Sequence, residues 1–288
     1  MRNIQAEIED INEIVSWPTV LAQVIGEIEK DEAAASEIIK LVESDPGLTA
    51  SILRAVNSPF YGLRWRVTNV SSSIALLGLS ETARLLLAMY LKQKLFGLKP
   101  GLQREFETLW RHSITTATIT RLVAHEFGLN FSGSEFTAGL LHDIGKIVLL
   151  QYYPSEIRVI NRMVREPEQQ DVQIESLVVG VPHTDIGAIL AERWRLPKDY
   201  VEVIKRHHTP ALAELNPRLC YVVRLADILA TAWTSEQQEQ PEWIGVAISE
   251  CFAGLTNNVE SHKEKNMGEF VINLTNSYTR EKEFVSLF

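Results

Sequence analysis

The stretch LLHDIGKIVLL, residues 140–150, sets a histidine and an aspartate side by side inside an apolar run. The periodicity around them assigns both to a core. A buried polar group without a partner is costly, and an unpaired charge is costlier still. A chain that buries His142 and Asp143 must therefore fold so that other segments deliver groups to satisfy them. That requirement constrains the architecture more than any other feature.

The rest of the pattern is helical. Asp45-Pro46 has the form of an N-cap followed by proline at the first helical position. Leu48, Ile52, Leu53 and Val56 then recur at helical spacing until Asn57-Ser58-Pro59 stops them. Residues 71–97 predict a short helix, a break at Gly78 and a longer buried helix. Lys99-Pro100-Gly101 is the best candidate boundary. Beyond it, helices are expected over 103–127, up to His142, and over 154–166, 183–195, 197–208 and 217–233. Asp185 and Asp199 suit helix starts. Period-2 alternation is nowhere sustained, so the expected class is all-α. Three parts are expected: an N-terminal helical subdomain (1–98), a helical core (99–235) and a helical tail (236–288), with a polar linker over 234–242. The first part is expected to pack on the core through apolar faces that include Leu76, Leu77, Leu85 and Leu86.

Composition narrows the classes. A net charge of −9 argues against non-specific binding of nucleic acid, which depends on Lys and Arg neutralising phosphates. Two cysteines, Cys220 and Cys251, give neither a disulfide framework nor a CxxC signal, which points to a reducing compartment. Acidic residues appear too early in the N-terminus for a secretory signal. No apolar run approaches the ~20 residues of a membrane span. The expectation is a cytoplasmic protein with no membrane contact.

Several apolar stripes each carry a polar residue inward. His112 shares a face with Leu109, Thr116, Ile119 and Val123. His183 begins a stripe through Ile186, Leu190 and Trp194. His207 and His208 end the helix that opens at Pro197, and Asp227 shares a stripe with Cys220, Val223 and Ala230. Scattered buried groups would each need a private partner, whereas one shared metal centre satisfies them all. Imidazole nitrogen suits first-row divalent ions, and a carboxylate can bridge two. If His142 and Asp143 lie on one helix they project about 100° apart, so one can serve a single ion while the other reaches a second. Lys146, one turn on, can meet a phosphate. A lone core histidine is usually only hydrogen-bonded, and His125 and His262 keep that reading. The packed leucines and isoleucines around His142 predict a buried or narrowly accessible centre.

The order His112, His142-Asp143, His183, His207-His208, Asp227 resembles the HD superfamily. The words "WPTVLAQVIGEIEKDEAAASEIIKLVESDPGLTASILRAVNSPFYG", "LWRHSITTA", "TAGLLHDIGKIVLL", "HTDIGAILAERWRLP" and "VIKRHHTP…VVRLADILA" resemble HDOD domains, over roughly residues 15–235. This resemblance implies a bacterial regulatory family with a helical HD core. It implies metal ligation by His112, His142, Asp143, His183, His207, His208 and Asp227, with one or two divalent ions. Fe or Mn is expected, and Zn or Ni is also compatible with the donors. It implies catalytic roles for Asp143 and Lys146 if the centre is active. The related HD-GYP phosphodiesterases share the ligand order and the lysine. Here, however, the His pair is followed by "TPALAELNP" with no Gly-Tyr-Pro, and Thr108 stands where some members place a further carboxylate. A third ion and cyclic di-GMP specificity are therefore not implied.

Two functions follow. One is a signal-transduction module that acts through a partner protein or a nucleotide ligand. The other is a metal-dependent phosphohydrolase, whose substrate wall would draw on Arg111, Lys146, Lys205 or Arg206. The ligand order also serves di-iron oxygenases, so metal binding alone does not imply hydrolysis.

Overall fold

The computed structural model describes residues 39, 42–43, 46–96, 101–131, 133–163, 169–234, 242–257 and 266–286. Among the described residues the protein is all-α, as expected, with two short 3-10 turns and no strand. The Asp45 cap, the linker over 235–241 and His262 lie outside the described residues, as does most of the proposed boundary at 99–101. No single helix among the described residues is long and apolar enough to cross a membrane.

Helix α1 (Pro46–Val56) buries Leu48, Ile52 and Val56. Helix α2 (Val70–Leu77) opens on Asn69, whose side chain accepts the Ser72 N–H at 2.7 Å. It stops at Gly78, whose φ of +80° is glycine's territory, and α3 (Leu79–Phe96) begins at once. Leu85, Leu86, Leu87 and Leu91 of α3 are buried. Their cluster continues without a break into the interior of the later helices, through Phe106, Ile114, Leu141 and Val148. The buried stripe of α2 runs through Val70 and Ser73, which leaves Leu76 exposed and corrects the reading of Leu76 as a contact residue.

The centre of the molecule is α4 (Gln103–Glu126) against α11 (Pro217–Thr234). Helix α5 (Ser134–Leu141) packs on α4, and α6 (Ile144–Tyr152) crosses α9 (His183–Arg193), which in turn carries α10 (Lys198–Arg206). Helices α7 (Pro154–Met163) and α8 (Gln169–Val178) lean on each other beside them. The expected helix 154–166 is seen as far as Met163, and α8 was not foreseen. The tail forms two helices, α12 (Glu242–Thr256) and α13 (Met267–Ser286), which cover a second cluster around Ile119, Val222, Leu225 and Leu229.

Phe284 of α13 reaches back to Phe60 and Phe136, with ring centroids 5.5 and 6.2 Å apart. The tail therefore grips both ends of the chain's core. Each buried leucine of α3 is worth roughly 1.5–3 kcal/mol. Expressing residues 99–288 alone is accordingly expected to give an aggregating fragment. A soluble monomer with a cooperative thermal transition would show that the two halves fold independently.

Candidate metal centre

His142 and Asp143 do not lie within one helix. His142 caps α5, and Asp143, at φ −100° and ψ 16°, precedes the first residue of α6. The helix expected to end at His142 does end there, and the pair occupies an interhelical corner, so the 100° projection of two residues on one helix does not apply. The corner is what frees the Asp143 carboxylate to face several elements at once.

The structure brings the seven candidate ligands together in two groups. Asp143, His183, His207 and His208 form one, and His112, His142 and Asp227 form the other. Asp143 joins them. Its Oδ1 lies 3.2 Å from His183 Nε2 and 3.7 Å from His207 Nε2. Its Oδ2 lies 3.3 Å from His142 Nε2 and 3.6 Å from His112 Nε2. Across the outer group, Asp227 Oδ1 is 2.9 Å from His112 Nε2 and 3.6 Å from His142 Nε2. Lys146, its side chain a quarter exposed, places Nζ 2.9 Å from Asp143 Oδ2.

The far ring nitrogens are anchored. His142 Nδ1 meets Gly139 O at 2.8 Å, and His207 Nδ1 meets Ile204 O at 3.0 Å. A carbonyl only accepts, so both rings carry Nδ1–H and turn Nε2 inward. His183 Nδ1 meets Glu175 Oε2 at 2.7 Å, and the same oxygen accepts the His183 backbone N–H at 2.8 Å. Glu175 lies on the unforeseen α8, and its only trace in the sequence is a glutamate eight residues before His183. The Nε2 atoms of His142, His183, His207 and His208, together with Asp143 Oδ1, are buried without a hydrogen-bond partner. Natural proteins leave only a few such atoms per hundred residues, so five of them gathered at one spot call for an explanation. Imidazole nitrogen and carboxylate oxygen converging on one space fit a divalent ion.

Electrostatics favours the same conclusion. Burial opposes charge on His142, but the Asp143 and Asp227 carboxylates outweigh it and hold the ring up at about 10. Burial likewise opposes charge on His183, and Glu175 overcomes it and raises that ring. His207 and His208 are driven well below the ordinary histidine range, first by burial and then by their charged neighbours. Without an ion, a proton on His142 partly compensates the carboxylates. An entering ion must displace it. Ion binding at pH 7.5 is expected to release about one proton, and the apparent affinity to rise roughly tenfold per pH unit toward pH 10. Calorimetry in buffers of different ionisation enthalpy measures that release, and a pH-independent affinity would contradict it.

Glu175→Gln keeps the shape and removes the charge that orients His183. Such partners of a ligating histidine are worth about 10- to 100-fold in metal affinity. We expect about a tenfold loss with unchanged folding, read by competition with a chelator.

The centre is not sealed. A cavity of about 1140 Å³ opens above it and is lined by His112, Asp143, Lys146 and Asp227 at its floor. Arg104, Arg111, Asn161 and Ile157 stand on its walls, with Glu105, Glu107 and Asp171 among them. This corrects the narrow access expected from the apolar run: Leu140, Leu141, Ile144 and Ile147 pack one side of the corner, and the other side faces space. Of the four wall residues expected from the sequence, Arg111 and Lys146 line this cavity. Lys205 and Arg206, in the last turn of α10, line a different surface cleft beside Leu212 and Leu215. Asp171, Asn161 and Arg104 were missed, since isolated polar residues on surface helices carry no pattern. His125 is exposed at the end of α4 and takes no part. Asp185 and Asp199 sit in the first turns of α9 and α10, as expected.

The family model described as HDOD domain matches residues 14–210. Asp227 lies beyond the matched stretch. An uncharacterized protein of Treponema pallidum (strain Nichols) is 27% identical over 207 residues, which is 71% of this chain and 40% of that protein. A ribonuclease Y of Thermus thermophilus is 31% identical over 156 residues, 51% of this chain and 22% of the enzyme. The chain thus spans well under half the length of these curated relatives. Among solved structures, an HDOD domain protein of unknown function from Geobacter sulfurreducens aligns at a TM-score of 0.81 and 22% identity, over 99% of this chain and 96% of that one. That likeness is one of fold.

Proposed function

The chain belongs to the HDOD domain family, and on that footing we propose that it is a regulatory module whose HD-type centre holds one or two divalent ions and binds a phosphorylated small molecule, a nucleotide above all, in the cavity over them. The observation that carries this reading is the set of orphaned buried donor atoms at the floor of an open cavity. The inner ion would fall to the group around His183 and His207, the outer to His112, His142 and Asp227, with Asp143 between. Fe or Mn suits these hard and borderline donors, and Zn or Ni can compete. Divalent ions held there neutralise phosphoryl oxygens and lower the pKa of water. Lys146, held charged by Asp143, and Arg111 add positive charge on the same wall. The acidic residues of that wall, with a net charge of −9, oppose a long nucleic-acid backbone more than they oppose a mononucleotide.

A second reading, hydrolysis of the bound phosphate ester, is favoured by the open access and by the ribonuclease Y likeness. It has Asp143 and Lys146 as the residues nearest the reacting group. Cyclic di-GMP is still expected to be a poor substrate, because the Gly-Tyr-Pro loop is missing.

Elemental analysis of freshly purified protein, followed by equilibrium dialysis of GMP, AMP and cyclic di-GMP with the metal-loaded chain, tests the first reading. One to two ions per chain and metal-dependent nucleotide binding are expected. A ratio near zero that Fe or Mn cannot raise would overturn it. Turnover of any phosphate ester near ~1 per second, lost in Asp143→Ala, would establish the second.

A further inference from the structure

One histidine of the centre is anchored the opposite way from its neighbours. Arg224, on α11 one turn before Asp227, is buried, with its side chain 6% exposed. Its Nη1 lies 3.1 Å from Asp227 Oδ2 and 3.2 Å from His208 Nδ1. A guanidinium has five donors and no acceptor. The Arg224–His208 contact is therefore an N–H donated to a bare Nδ1, and the ring proton of His208 sits on Nε2. His207 shows the reverse, with Nδ1–H given to a carbonyl and Nε2 bare, and His142 likewise gives its Nδ1–H to a carbonyl. His208 Nε2 is among the buried atoms without a hydrogen-bond partner, and the ring lies 5.1 Å from that of His183 and 4.3 Å from that of His207.

We propose that Arg224 takes His208 out of the metal-ligand set and fixes it as an N–H donor into the centre, so that Asp143, His183 and His207 alone of the inner group hold an ion. A nitrogen that carries a proton cannot ligate. Moving that proton to Nδ1 would set it against the Arg224 N–H, and releasing Arg224 would strip Asp227 of its buried counter-charge. Both changes oppose ligation by His208. The inner position then keeps one side free, and an N–H donor suits an anionic oxygen bound on that side. Arg224 is thus a positioning residue that trades a fourth ligand for a hydrogen bond to the bound anion. The inference rests on the metal-centre reading for its consequence and on the Arg224 contact for its geometry.

Nitrogen-15 NMR of the metal-free full chain reads the tautomers directly. His208 should show Nε2–H with a bare Nδ1, and His207, the internal reference, the opposite. The same tautomer at both rings would overturn the proposal. Mn²⁺ titration supplies the second arm: His208→Ala should bind the inner ion within about threefold of wild type, whereas His207→Ala should lose about a hundredfold. Equal losses would overturn the proposal. His208→Gln, which keeps a donor and a similar volume, replaces the alanine variant if that one fails to fold. Arg224→Met should let His208 ligate and tighten the inner ion at least tenfold, and adding His208→Ala should cancel that gain. A gain that survives the second substitution would count against it. If the wild-type chain binds no ion at all, the metal-centre reading falls, and the tautomer measurement still decides whether Arg224 holds His208.

Discussion

Gly145→Ala is expected to leave no soluble, folded protein. A Cβ built on Gly145 would fall inside the carbonyl oxygen of His183, and it would come within 2.8 Å of the Gly187 nitrogen and the His183 carbonyl carbon. All three are backbone atoms of α9 and cannot swing aside as a side chain can. Gly187 is the matching residue on the other helix, where a Cβ would lie 2.7 Å from Ile204 and 3.2 Å from the Gly145 nitrogen. The two glycines let α6 and α9 approach until their backbones touch. That approach brings His183 Nε2 to 3.2 Å from Asp143. Forcing the helices apart opens the core and separates the two ligands, so a loss beyond about 4 kcal/mol is expected, at the extreme of single substitutions. Thermal melting and soluble yield measure it. A Gly145→Ala protein that melts within a few degrees of wild type would mean the crossing is looser than the structure shows.

That crossing also shows what the sequence discloses and what it hides. The helical class was legible because periodicity is a local property. The stripes through His112, His183 and Asp227 announced inward faces, and those faces do meet. Which atoms meet was not legible. The helix end at His142 was expected, but the start of α6 only two residues on was not, since neither His142 nor Asp143 is a helix breaker and the apolar spacing runs on past them. Glu175 and Arg224 escaped notice for a related reason. A charged residue on a helix reads as solvent-facing unless its neighbours reveal otherwise, and Arg224 sits among "VVRLAD", where the arginine looks like a flank of the Asp227 stripe. Their roles arise where consecutive helices turn back on each other, α8 against the start of α9 and α11 against the end of α10, and helical spacing does not report such a turn. The cavity is likewise a property of the gap between α4, α7 and α8. The apolar run around His142 describes only the packed side of that gap.

Asp143→Ala is expected to abolish ion binding altogether and to lower the melting temperature of the metal-free protein. Among the described residues Asp143 is the one carboxylate that faces both ligand groups, and each position would lose a ligand with it. Two other carboxylates at the site are committed elsewhere: Asp227 to His112 and Arg224, and Glu175 to His183. The ion-to-chain ratio should fall below about 0.1. The metal-free effect has its own cause. Asp143 is held ionised, well below the usual carboxylate range; burial opposes this, but His142 and Lys146 outweigh it. Deleting the carboxylate leaves His142 buried beside fewer negative charges and Lys146 without its partner at 2.9 Å. Breaking a buried ion pair from one side costs about 3–5 kcal/mol. Lys146 keeps some contact with the cavity and can turn to water, so the lower end applies, about 3 kcal/mol, or a fall of about 5 °C for a chain of this size. The sign with pH follows from the depressed carboxylate: its stabilisation is present above about pH 4, the unfolded value, and disappears as the pH falls through the folded one. The gap between wild type and variant should therefore be wide at pH 6 and narrow in acid. Equal melting of the two proteins at pH 6, both stripped of metal, would show that the cluster contributes nothing to the fold without its ions.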